Sequence, residues 1–460
     1  MKRFLPLLLL TVFLVTSGLG CRTQGKKEVE ATRPVELTWW RVFDDADSVS
    51  DIINKYHAVH PNISITYRKL RPEEYEHELL NALAEDRGPD ILTVHNTAMM
   101  QYQPKLLPLP AEIEMAYLVT KGTIKKDTVI EIHKDKTLRN DQLKTQFVDA
   151  VAKDVILPAT GDNGATTLRI FGLPLALDTM ALYVNRDLLN AAGIPEPAKT
   201  WDELLAHVKK LTKVDAQGKI IQAGATIGAA GNVERGTDIL SLLMMQNGAV
   251  MMQNGAVAFG SIPSGFSRDV APGIEALRFY TDFGNPVKEA YTWNETLPPS
   301  FDAFANGTVA YFFGYAYHKP QIKLRAPKLN LEIVKVPQID PTHEVNFANY
   351  WIEAVSEKTK HPNEAWDFVQ FATRAPNVKS YLTASGKPTA LRALVNDQIE
   401  NADLTVFASE ILTAQSWYQG KDPDAAETAL KELITAVRGG TIPLDEAVRI
   451  AVGKVQQTIR

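Results

Sequence analysis

The sequence predicts an α/β protein of two lobes, and three observations carry that expectation. Its 460 residues exceed what one compact core usually holds. Between Val35 and Val94 the pattern runs strand, helix, strand, helix, strand, the unit of a sheet whose ligands sit beyond the carboxyl ends of its strands. From Phe171 to Trp201 a further strand is followed by two helices.

Each element has a local cause. Val35 to Trp40 alternates as a strand, and the loop Arg41 to Asp47 carries Asp44 and Asp45. Val49, Ile52, Ile53, Tyr56 and Val59 recur at helical spacing until His60-Pro61-Asn62, and Ile63 to Tyr67 is the next strand. Tyr75, Leu79, Ala82 and Leu83 mark a second helix, and Gly88-Pro89-Asp90 opens a buried strand, Ile91 to Val94. Two loops therefore face the expected site, Arg41 to Asp47 and His95 to Thr97. Lys121 to Lys136, polar and β-branched, reads as a hairpin or an excursion, and residues 111 to 170 receive no role.

In the second lobe, Gly172-Leu-Pro174 leads into the strand Met180 to Val184, and a short helix stops at Gly193 and Pro195. Thr200-Trp-Asp-Glu203 has the form of a capping box, with Trp201, Leu204, Leu205, Val208 and Leu211 behind it on one face. The heptapeptide Met-Met-Gln-Asn-Gly-Ala-Val occurs at 244 to 250 and again at 251 to 257. Two copies do not build a repeat fold; the first Asn-Gly is expected to end a helix and the second to turn a hairpin. Further strands are expected at Val309 to Phe313, Leu331 to Val336 and Asn349 to Val355, and the chain ends in helices.

Composition narrows the function. The formal charge of −5 argues against nucleic acid and against a broadly basic membrane-binding surface. A single cysteine, Cys21, allows no intrachain disulfide. It follows Lys2-Arg3, an apolar run from Phe4 to Val15 too short to span a bilayer comfortably, and small residues up to Gly20. The start resembles a bacterial lipoprotein signal, with residues 1–20 removed, Cys21 lipidated and 21–34 serving as a tether. Gly18 stands where that pattern prefers Leu.

The order of several short motifs resembles the extracellular solute-binding proteins of sugar-importing ABC transporters, of the maltose-binding type. These are Gly88-Pro-Asp-Ile91, Gly172-Leu-Pro174 through Asn185-Arg-Asp187, Thr200-Trp201, Phe304-Ala-Asn-Gly307, Trp351 followed by Lys360 to Trp366, Gly386-Lys-Pro388 and the tail Leu430 to Ile459. The resemblance implies a periplasmic-binding-protein-like fold: two lobes, each a mixed sheet flanked by helices, closing on a ligand in the cleft between them. On this reading 35–172 with 296–345 form the first lobe and 173–295 with 346–460 the second. It further implies a monomer that captures a sugar or oligosaccharide, hands it to ABC permease subunits, stays tied to the membrane by lipid, and needs no catalytic residue or cofactor.

Sugar recognition needs flat aromatic faces for the C–H side of a pyranose and polar groups for its hydroxyls. The candidates are Trp40, Asp44, Asn96, Asp178, Tyr315, Trp351, Trp417 and Tyr418. The family resemblance singles out Asp178, Tyr315, Trp351 and the Trp417-Tyr418 pair. Trp201 and Trp366, inside amphipathic helices, read as core, while Asp45 and the loop around Arg235 rank lower. His57 and His60 lie three apart, but no further His or Cys joins them, so no metal is expected. Two other readings remain: a binding protein for a peptide, polyamine or glycerol-phosphate, and an exported glycoside hydrolase.

Overall fold

The computed structural model describes residues 30–122, 126–161 and 164–459. Cys21 and the leader before it lie outside them, as do two residues of the turn expected at 161–164.

Two separate sheets organise the chain. In the first, the strands Trp351–Val355, Ile91–His95, Val35–Val42 and Ile63–Leu70 lie in that order. The last three are parallel, and Trp351–Val355 runs antiparallel at the edge. The second sheet has the order Lys213–Val214, Ile220–Ala225, Val309–Gly314, Ala181–Asn185 and Leu331–Lys335. Helices cover both. Thr200 caps one of them as its sequence implies, its side chain accepting from the Glu203 N–H at 3.2 Å while Glu203 reaches back to the Thr200 N–H. Behind that cap Trp201 stacks on Phe313 with ring centroids 5.5 Å apart, as a core residue should.

Apart from Phe407, a member of the second core set between members of the first, the hydrophobic cores change identity at three places. Leu177, Ala348 and Ala414 belong to the core of the first sheet, whereas Met180, Phe347 and Trp417 belong to that of the second. At those points the chain passes between lobes, and the three passing segments, Asp178–Thr179, Asn346–Asn349 and Ala414–Gln415, pair into one small sheet with Asn346–Asn349 in the middle. The buried Asn346 ties it together: its side chain accepts from the Met180 N–H and donates to the Met180 carbonyl. Backbone groups buried in such a crossing need partners, and one amide side chain supplies two.

The lobe boundaries therefore differ from the sequence expectation. Residues 309–314 and 331–335 pair on either side of Ala181–Asn185 and belong to the second lobe, not the first. Trp366, Phe368 and Tyr381, assigned to the second lobe, fill the core of the first. Gly172-Leu-Pro174, where the sequence expectation divides the lobes, is not where the chain crosses. Leu173 pairs with Glu353, and a side chain at position 172 would run into Ile352, so this turn is embedded in the first lobe and the crossing comes six residues later.

The hairpin or excursion expected at Lys121 to Lys136 is largely one strand, Asp127–Lys136, paired antiparallel with the preceding Glu112–Lys121. In the duplicated heptapeptide, Asn247 follows the helix Gly236–Gln246 and Gly248 adopts φ +86°, while Asn254 and Gly255, both with positive φ, turn the Met252–Gln253 and Ala256–Val257 hairpin. The same dipeptide thus serves two left-handed needs.

Candidate functional site

Between the lobes lies a cleft of about 1310 Å³ lined from both sides and from the crossing sheet. Its first-lobe wall begins where the strand Val35–Val42 ends. Arg41, buried, makes ion pairs from Nη2 to Asp44 Oδ2 at 3.1 Å and from Nε to Glu353 Oε1 at 3.1 Å. Trp39 Nε1 and Thr93 Oγ1 donate to Glu353 Oε2 at 2.7 and 3.0 Å. Asp44 also accepts from Lys387 Nζ at 2.6 Å and from the Tyr381 hydroxyl at 2.9 Å. Burial pushes the Asp44 carboxyl up, but Arg41 and Lys387 outweigh it and hold it below its ordinary value. This acid is ionised and fully committed to protein partners.

Trp351 stands on the edge strand and lines the cleft, with Tyr75, His95 and Phe43 set edge-on around it at 6.2, 5.2 and 6.0 Å. Burial and the facing Arg235 lower His95 to about 4, so its ring is neutral at ordinary pH. It bonds Asn349 Oδ1 at 2.8 Å through Nε2 and Thr97 Oγ1 at 2.7 Å through Nδ1. Asn349 Oδ1 can only accept, which places the proton on Nε2 and leaves Nδ1 to accept from Thr97.

The second-lobe wall is built on the helix Gly236–Gln246. Arg235 precedes it at φ +56°, a left-handed backbone rare outside glycine. Its Nε donates to Asp238 Oδ2 at 2.7 Å, and the Tyr315 hydroxyl donates to the same oxygen at 2.6 Å. Tyr315 is thus buried behind the wall, and Tyr317, stacked on it at 5.9 Å, is the ring that lines the cleft. Trp417 and Tyr418 also line it, each anchored by its polar tip: Trp417 Nε1 donates to Ser241 Oγ at 3.1 Å and the Tyr418 hydroxyl to Thr458 Oγ1 at 2.8 Å.

Asp178 lies in the crossing sheet and opens on the cleft. Its Oδ1 accepts from the N–H groups of Thr179 at 2.9 Å and Ala316 at 3.1 Å. Burial dominates and pushes this carboxyl up to about 7, because no cation bonds it. Two other acids near the crossings behave alike. Asp154, which accepts from Ser416 and Tyr350, is raised by burial to about 6, and Glu410 to about 8.

Of the eight candidates, the structure brings Asp44, Asp178, Trp351, Trp417 and Tyr418 to the cleft. Trp40, Asn96 and Tyr315 are not in its wall. Adjacent Trp39 and Trp40 point to opposite faces of their strand. One face packs Trp39 on Phe368, the other covers Trp40 with the Arg68 guanidinium at 4.6 Å, and neither face is the cleft. Asn96 is buried and donates to Asp154 Oδ2 at 3.2 Å. Sequence reasoning set Phe43 and His95 in loops facing the site without naming them as candidates, and missed Tyr75 and Tyr317, which no local pattern sets apart from loop or core residues. His60 pairs with Asp367 at 3.2 Å, a structural contact. Among the described residues no group of His, Cys, Asp or Glu is arranged to hold a metal, and no helix is long and apolar enough to cross a membrane.

Comparison with known proteins agrees with this architecture. A family model described as bacterial extracellular solute-binding protein matches residues 51–405. The multiple sugar-binding protein of Streptococcus mutans serotype c is 25% identical over 235 residues, 50% of this chain and 53% of that protein, so the chain spans about half the length of this curated relative. Among solved structures, the cyclic alpha-maltosyl-1,6-maltose binding protein from Arthrobacter globiformis aligns with a TM-score of 0.71 and 18% identity, covering 93% of this chain and 99% of that one. The sugar-binding protein from the phytopathogen Xanthomonas citri aligns with a TM-score of 0.67 and 15% identity, covering 92% and 97%. The periplasmic-binding-protein-like fold expected from the sequence is the fold present.

Proposed function

This chain belongs to the bacterial extracellular solute-binding protein family, and from that premise we propose that it captures a neutral sugar or oligosaccharide between its lobes and delivers it to an ABC permease. The family places the protein on the extracytoplasmic side. One observation carries the sugar reading: a single cleft receives aromatic rings from both lobes, Tyr75 and Trp351 on one side and Tyr317 and Trp417 on the other. Flat rings suit the C–H faces of pyranoses, and the polar tips of Tyr75 and Trp417, bonded to the Thr93 carbonyl and to Ser241, hold those two rings in place. The volume exceeds the roughly 300–1,000 Å³ typical of small-molecule pockets, which favours an oligosaccharide over a single pyranose.

Arg235 and Asp178 are polar groups in the cleft wall suited to read hydroxyls. Among the described residues Arg235 commits only Nε, so its terminal nitrogens remain to donate. Asp44 shapes the wall rather than bonding ligand, since its oxygens are already taken. A ligand touching both walls favours the closed arrangement of the lobes about the crossing sheet, and the permease reads that arrangement. Binding proceeds without turnover. Attachment to the membrane through lipid at Cys21 rests on the leader pattern alone.

A glycan panel tests the reading. Purified protein is expected to gain thermal stability with at least one neutral oligosaccharide and to return it unchanged on chromatography. Stabilisation by peptides, polyamines or glycerol-phosphate alone, or steady release of shorter sugars, would replace it with another solute or with hydrolysis.

A further inference from the structure

Phe43 is costly in the protein as it stands. It is 53% exposed, and its backbone has φ +66°. The Asp44 N–H bonds back to the Val42 carbonyl at 2.8 Å across it, which makes Phe43 the centre of a γ-turn of the rare, strained positive-φ kind. Glycine is the residue such a turn asks for. A phenylalanine there stores strain, and one whose ring is half in solvent gains little packing to offset it.

The neighbours make the conformation obligatory. Val42 is buried and held in the sheet against Leu70. Asp44 is pinned at both ends: its carbonyl accepts from the Tyr67 hydroxyl at 2.6 Å, and its carboxylate is locked by Arg41, Lys387 and Tyr381. With both flanks fixed, the turn can only project the side chain into the cleft, where the ring lies edge-on to Trp351, 6.0 Å between centroids and 68° between planes. Strain that persists because its surroundings over-determine it is a mark of functional positions.

We propose that Phe43 is a ligand-selecting residue whose ring forms, with Trp351, a steep apolar corner that seats one saccharide ring on the first-lobe wall. The inference rests on the sugar-binding reading and adds to it a position and a geometry. The locked ion network then has a purpose beyond stability: it presents the corner rigidly, so that the ligand meets a preformed surface.

Phe43→Gly separates this role from a structural one, because strain and binding move in opposite directions. With the tightest binder from a panel containing maltotetraose, mannotriose and cyclic maltosyl-maltose, calorimetry is expected to show affinity reduced tenfold or more. The ligand-free Tm is expected to be equal to or higher than that of the unaltered protein. Phe43→Leu, apolar but without a flat face, is expected to lie between the two in affinity. Unchanged affinity in Phe43→Gly, or a marked fall in its Tm, would overturn the assignment while leaving sugar binding intact. An unaltered protein that binds no member of the panel would overturn both.

Discussion

The two walls of the cleft solve the same problem differently. On the first-lobe wall Arg41, Asp44, Glu353 and Lys387 answer one another in one network, set beside the rings that line the cleft. On the second-lobe wall a single carboxylate, Asp238, serves both Arg235 and Tyr315, and the guanidinium keeps unengaged nitrogens. Between them, Asp178 sits with backbone donors only. The acids Asp44 and Asp178 thus shift in opposite directions under similar burial, which locates the cause in their partners. A cation beside a buried carboxylate makes it a structural anchor, and its absence leaves a group free to exchange a proton or bond a ligand.

Breaking the first wall should have the largest effect. Arg41→Met leaves Asp44 and Glu353 as buried acids short of a cation, and denaturant unfolding is expected to show a loss of about 3–5 kcal/mol. If the loss is below about 1 kcal/mol, the network does not hold the wall. Trp351→Ala attacks the rings instead. Removing one aromatic platform is expected to weaken the sugar by about 1–2 kcal/mol, or roughly five- to thirtyfold, in a calorimetric titration; unchanged affinity would leave the first wall without a binding role.

The smallest effect should come from Asp178→Asn, read as a change in pH slope. Burial raises the folded carboxyl to about 7 from its ordinary 3.8, so between those values the folded state holds the proton more tightly than the unfolded state does. Stability from this group is therefore fully present below about pH 4 and is lost as pH rises towards 7. The variant removes that slope. Tm measured from pH 4 to pH 8 is expected to fall less steeply with rising pH than in the unaltered protein, and parallel curves would refute the assignment.

Much of the architecture was legible locally. The Thr200 cap, the amphipathic helices and the two Asn-Gly turns follow from side-chain chemistry within a few residues. Strand partnership does not: Val309–Gly314 reads as a buried strand in either lobe, and only pairing with Ala181–Asn185 assigns it. The site was legible to the extent that its residues lie on readable elements, as Trp351 does. Tyr315 and Tyr317 show the limit, because which ring lines the cleft depends on a turn and on Asp238, far away in sequence. Phe43 was invisible because its distinction is a backbone angle.

The edge strand Trp351–Val355 has a consequence for how the chain becomes a protein. Trp39 bonds Glu353 across 314 positions, and Asp44 bonds Lys387 across 343. The amino-terminal lobe, although nearly all its strands come early, cannot close its charge network until the segment from 351 to 387 arrives. Contacts so distant in sequence are slow to form, and until then Arg41 and Asp44 have no reason to leave water. The first-lobe wall of the cleft therefore depends on contacts between early and late segments of the chain.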